Sequence, residues 1–242
     1  MYPSILRNIM LCVEMQTYQF WLGIREAQVE EGFKSSDHDP CLFIRLEDDD
    51  TYTYVATHVD DCAVVSYSLE RNMWVRERLP AKYRGIKWED PAETFVGLAL
   101  RRTPDGSLLV AQPAYTRHVL DVLQVEGDGV AFLPIRVAEF SNGVVGEQVD
   151  MSLVPWLREA VGMVQFLTFT RMEIILALNL VAKNMHRLCQ RVKVAMMQIL
   201  RYLANRLDDG LLYTSGGMWQ WNVGVMPRGN LSQTVEVERG LR

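Results

Sequence analysis

Cysteine is scarce in this chain, and its spacing is uninformative for bridging: Cys12, Cys41, Cys62 and Cys189 lie far apart in 242 residues. Neither a disulfide framework nor a zinc site fits that spacing, and no disulfide-linked partner is expected. Buried thiols in a reducing compartment are the natural reading. Positive charge is not in excess either. A formal net charge of −5 argues against a protein that coats nucleic acid through bulk charge, although it says nothing about local patches. Long apolar runs are also lacking. The most apolar region, Val161 to Ala182, carries Arg171 and Glu173 near its middle, so it reads as a pair of buried helices and not as a membrane span. The N-terminus, MYPSILRNIMLCVEM, is broken by Pro3, Arg7 and Asn8, so no secretory signal is expected and an intracellular setting, cytoplasm or nucleus, follows. Internal repeats and low-complexity tracts are absent from the sequence.

What the chain has is enough apolar material for a large core: 49% hydrophobic and 23% charged residues. From Pro40 to Gln112 strand-like runs dominate, namely CLFIRL, YTYVATHV, CAVVSY, TFVGLALR and SLLVAQ, divided by turn chemistry such as EDDD and TPDG. The pattern predicts adjacent antiparallel strands over Tyr52 to Val59 and Cys62 to Tyr67, and a second hairpin over Phe95 to Gln112 with its tip at Pro104 to Gly106. One helix interrupts the strands, capped by Ser68 and ended by Pro80. After Gln112 the period turns helical. Pro113 suits a first turn, with Tyr115, Val119, Val122 and Leu123 on one face. Further stripes follow at Leu157, Val161, Val164 and Leu167, and at Val192, Met196, Ile199 and Leu203. The fold class is therefore α+β, divided into residues 1–112, a helical region 113–213 and a tail 214–242 expected to be partly disordered.

The stretch YVATHVDDCAVV, Tyr54 to Val65, holds the most pointed chemistry. Strands avoid Asp, yet Asp60 and Asp61 interrupt a run that otherwise reads as strand. An acid pair there is either a hairpin turn, because Asp bonds its own backbone, or a metal site. Charge is segregated as well: Glu26 to Asp61 holds eleven acids and two bases, Lys183 to Arg206 six bases and no acid. The basic run is either a solvated helix face or a grip on phosphates.

Five segments in order carry a family resemblance: GFKSSDHDPCLFIR (Gly32 to Arg45), HVDD (His58 to Asp61), FVGLALRRTPDGSLLVAQPAY (Phe95 to Tyr115), VGMVQFLTFTRMEI (Val161 to Ile174) and ILRYLANRLDDGLLY (Ile199 to Tyr213). Together, from about Phe20 to Tyr213, they resemble the Ty1/copia-type reverse transcriptase of LTR retrotransposons. The resemblance implies a polymerase palm in residues 1–112 and a thumb or connection region in 113–213. It implies that Asp60 and Asp61 are catalytic carboxylates on a palm hairpin and bind Mg²⁺ with a third Asp from an earlier strand. It implies that Phe95 and Gly97 lie on the hairpin that positions the primer, and that Arg187, Arg191, Lys193 and Arg201 meet phosphates of an RNA template and DNA primer. No membrane partner is implied.

Departures from the family pattern shape the expectation. Glu14 is the only acid before Arg25, and nothing around it reads as a buried strand presenting an Asp, so the third carboxylate and the fingers have no candidate. His58 stands where the family has Tyr. In TRMEI the family pattern is T-R-P-D, and a structural ion pair is the expected role of Arg171. The expectation is a reverse-transcriptase fragment that is catalytically incompetent as it stands. The alternatives are a non-catalytic nucleic-acid-binding module and a decayed remnant without activity.

Overall fold

The computed structural model describes residues 9–13, 31–58, 61–82, 87–89, 93–125, 129–135, 150–185, 189–214 and 223–225. The chain divides into two compact units, residues 1–109 with 213–221, and residues 110–212 with 222–242. Among the described residues, two sheets and five α-helices give the α+β class expected.

The first unit is built on a six-stranded sheet of β1 (Ile9–Val13), β2 (Lys34–Ser35), β3 (Leu42–Leu46), β4 (Tyr52–His58), β5 (Asp61–Val65) and β6 (Lys87–Glu89), in the order β2-β3-β4-β5-β1-β6. Every neighbouring pair is antiparallel. Along β4 burial alternates, with Thr53, Val55 and Thr57 inside and Tyr52 and His58 outside, as the period of two requires. Strand β5 lies between β4 and β1, and its run Cys62, Ala63 and Val64 is buried.

Two expectations need correction here. The strands flanking the acid pair are Tyr52–His58 and Asp61–Val65. The second ends early because Ser66 turns away to bond the Ser68 carbonyl at 2.6 Å, at the start of the next helix. A strand that the sequence did not show does precede Glu14, though it holds no Asp: β1 pairs with β5 through Leu11↔Ala63 and Cys12↔Cys62. Glu14 itself lies outside the described residues.

The EDDD turn between β3 and β4 places Asp50 in the left-handed region at φ 59°, which Asp tolerates better than most residues. Helix α1 (Leu69–Lys82) is fastened to this turn. Ser68 caps it, its hydroxyl accepting from the Arg71 N–H at 3.3 Å. The Arg71 side chain then donates to Asp49 Oδ2 at 2.7 Å and also to the Thr51 hydroxyl. Donation by the Thr51 hydroxyl and then by Arg71 lowers the Asp49 carboxyl from 3.8 to about 2. Beside them, Arg45 forms a fork to Glu47 at 3.0 and 3.1 Å, with its guanidinium 4.0 Å from the Trp74 ring centre. The helix runs two residues past Pro80: a proline in the last turn forfeits one N–H bond without ending the helix there.

Beyond α1, β7 (Thr94–Phe95) and β8 (Leu98–Arg102) pair antiparallel, and β9 (Leu108–Ala111) is the next neighbour of β8. The turn from β8 to β9 has its tip at Pro104 to Gly106 as expected, closed by Thr103 N–H to Ser107 O at 3.0 Å, with Gly106 at φ 84°. The single hairpin expected over Phe95 to Gln112 is in fact three strands, because Val96 and Gly97 make a second, tighter turn.

The second unit holds α2 (Pro113–Val122), α3 (Val154–Leu167), α4 (Ile175–Lys183) and α5 (Gln190–Ala204), with β10 (Gly210–Tyr213) beside β9 and β11 (Val223–Val225) beside β10. Its core contains Val119, Leu123, Leu157, Val164, Leu167, Val192, Met196, Ile199 and Leu203, the positions that helical periodicity marks. Val122 departs from that stripe and is exposed. The apolar region with Arg171 near its centre is split between α3 and α4, and no described helix is long and apolar enough to cross a membrane. Arg171 makes the ion pair expected of it, to Glu173 at 2.6 Å. Cys41, Cys62 and Cys189 are reduced thiols, the last two buried.

Candidate functional site

The acid pair lies at the end of the β4–β5 hairpin. His58 pairs with Asp61 across the two strands, so the connection is only two residues long, Val59 and Asp60. Both lie outside the described residues. Asp61 is the first residue of β5 and is half-buried; His58 is exposed. Because Cys62, Ala63 and Val64 are packed inside the sheet, the backbone that carries Asp61 is firmly held.

The Asp61 carboxylate meets a segment far away in sequence. Its Oδ2 accepts the Val96 N–H at 3.3 Å. Val96 and Gly97 are the two residues of the β7–β8 turn, with Phe95 paired to Leu98 on either side. Both have positive φ, 51° for Val96 and 75° for Gly97, the pattern of the two-residue turns that match strand twist. Glycine suits the second position because of that dihedral. A Cβ on Gly97 would meet nothing within 4 Å, so its outer face is open. The structure thus brings Asp61 together with the turn that contains Gly97 and follows Phe95, three of the residues singled out from sequence. The Val96 bond was not legible in the sequence, where TFVGLALR reads as one continuous strand.

Two adjacent carboxylates offer the hard oxygen donors that Mg²⁺ prefers, and a hairpin turn is a way to aim neighbouring side chains together that a straight strand cannot provide. Among the described residues no group of three or more His, Cys, Asp or Glu could hold a metal ion.

The basic residues fall in several environments. Helix α5 begins at Gln190, and Arg187 lies outside the described residues. Arg191 is exposed. Lys193 is half-buried, with its Nζ 5.8 Å from the Trp156 ring centre. Arg201 is half-buried under Gly129, where a Cβ would lie 3.3 Å from its Cδ, and its Nε has no hydrogen-bond partner. At about 100° per residue the three are spread over roughly 160° of the helix. Arg191, Lys193 and Arg201 therefore do not share one exposed stripe, because the apolar stripe of Val192, Met196, Ile199 and Leu203 takes the face that orients α5.

The chain is 23% identical over 223 residues to the "Retrovirus-related Pol polyprotein from transposon RE1" of Arabidopsis thaliana, and 23% identical over 215 residues to that from transposon RE2. The similarity covers 89% of this chain and 14% of each relative, so the chain spans about one-seventh of the length of the curated relatives it matches. Over most of its length, then, it is similar to a piece of a retrotransposon Pol polyprotein. No family model matches. No solved structure matches either.

Proposed function

We propose that the chain is a piece of a copia-type retrotransposon polyprotein from its reverse-transcriptase region, with the Asp60–Asp61 hairpin as the metal-binding end of a polymerase palm. The observation that carries this reading is the 3.3 Å bond from the Val96 N–H to Asp61. Two motifs separated by thirty-five residues, one resembling the metal-binding hairpin and the other the primer-positioning turn, are in direct contact. Similarity to Pol polyproteins supports the same reading.

Asp60 would provide the principal metal oxygen, Asp61 would set the end of the hairpin, and the open face of the Val96–Gly97 turn would bear on the primer terminus. A Mg²⁺ bound there would help ionise the primer 3′-hydroxyl and offset charge on the triphosphate. Two carboxylates fall short of the charge that a two-ion site requires, so these 242 residues by themselves are expected to extend no primer. Binding of an RNA–DNA hybrid tests the proposal. Affinity should fall about tenfold or more between ~50 and ~200 mM salt, as phosphate contacts require. Absent or salt-indifferent binding would count against it.

A further inference from the structure

We infer that Asp61 is a positioning residue: its carboxylate fastens the Val96–Gly97 turn to the end of β5. The inference rests on reading this hairpin as part of a nucleotidyl-transfer site, and it adds a positioning role within that site.

The turn needs such a fastening. Val96 is β-branched and sits at φ 51°, a region that branched side chains strongly disfavour. Conformations of this kind persist only where their surroundings over-determine them. The ladder of β7 and β8 reaches Phe95↔Leu98 and goes no further, so the N–H of Val96 points out of the hairpin and needs an acceptor from elsewhere. Asp61 provides it at 3.3 Å. A carboxylate accepting from a backbone N–H is a charge-assisted bond, stronger than a neutral one. The acceptor also stands on a rigid base, since Asp61 is paired with His58 and continues into buried Cys62. The bond therefore fixes the distance between the acid-bearing hairpin and the turn, which a polymerase must keep constant if a primer end is to meet a metal ion.

Amide hydrogen exchange in the 242-residue protein tests the fastening. In the wild type the Val96 amide should exchange at least about tenfold more slowly than its turn neighbour Gly97. Asp61→Asn keeps a carbonyl oxygen and should hold Val96 protection within about threefold. Asp61→Ala should bring it down to the Gly97 level while Val55 and Val64 stay protected, and if that variant does not fold the first two comparisons still decide. A Val96 amide as fast as Gly97 in the wild type would overturn the inference. No Mn²⁺ binding in the wild type would overturn the metal-site reading of the proposed function and leave the fastening to be decided by exchange alone.

Discussion

Arg171→Leu is expected to destabilise the helical unit by about 3–5 kcal/mol, the range for removing one partner of a buried ion pair. Arg171 is only 1% exposed, among the most deeply buried large side chains in the protein. Its Nε donates to Glu173 at 2.6 Å and its Nη1 to the Arg206 carbonyl at 2.8 Å, with the guanidinium 5.7 Å from the Tyr202 ring centre. Leucine would leave Glu173 without its counter-charge and the Arg206 carbonyl without its donor. The native arrangement is already incompletely satisfied, since Arg171 Nη2, Glu173 Oε2 and Asp209 Oδ2 are buried without hydrogen bonds. Replacing both Arg171 and Glu173 with leucine should therefore recover much of the loss. The pH dependence follows from Asp209. Burial raises its carboxyl, and the charges of Arg171 and Arg206 pull it back down. Without Arg171 it rises further, so the folded variant binds a proton more readily than the unfolded chain. Stability tied to such a group increases as pH falls through its folded-state value, and the deficit of Arg171→Leu should shrink on acidification from neutral pH. Urea denaturation at both pH values measures this; an equal deficit at each would count against the account.

Gly210→Ala should cost about 3 kcal/mol, at the upper end for overpacking. A Cβ at Gly210 would collide with the Val110 carbonyl oxygen and lie 2.8 Å from the Ala111 Cβ. The nearest obstacle is backbone, so β9 and β10 would have to separate, breaking the ladder that joins them. A fall in melting temperature of roughly 10 °C corresponds to that cost. Gly162→Ala gives the contrast. Nothing lies within 4 Å of a Cβ there, and the residue sits inside α3, where alanine is the better helix former. It should raise stability by up to about 1 kcal/mol. Similar effects at the two glycines would show that the close approach at Gly210 does not carry the penalty.

Helical periodicity was the most legible feature of the sequence. The stripe Val192, Met196, Ile199 and Leu203 is completely buried, and Pro113 begins its helix. Local turn chemistry was equally readable at Pro104 to Gly106 and at the Ser68 cap. What depends on distant partners was harder to see. IMLCV has no strict alternation and becomes a strand only because β5 and β6 flank it. Val96 looks like an interior strand residue, and only its neighbour Gly97 hints at a turn. The charge run from Lys183 to Arg206 left a solvated helix face and a phosphate grip both open; helical rotation and the packing of Arg201 under Gly129 set Arg191, Lys193 and Arg201 apart. In the candidate site, sequence marked Asp61 and Gly97 separately; their contact is a product of the fold.

Mn²⁺ titration of isotope-labelled protein, read as paramagnetic broadening residue by residue, tests the central claim most directly. Bound at the acid pair, Mn²⁺ should broaden the amides of His58 to Cys62 together with those of Phe95 to Leu98, because the Asp61 bond keeps the turn beside the hairpin. Asp60→Asn should abolish that pattern. Broadening centred on the acidic turn Glu47 to Asp50, or broadening at the hairpin that survives Asp60→Asn, would contradict the claim that the hairpin is a polymerase metal site.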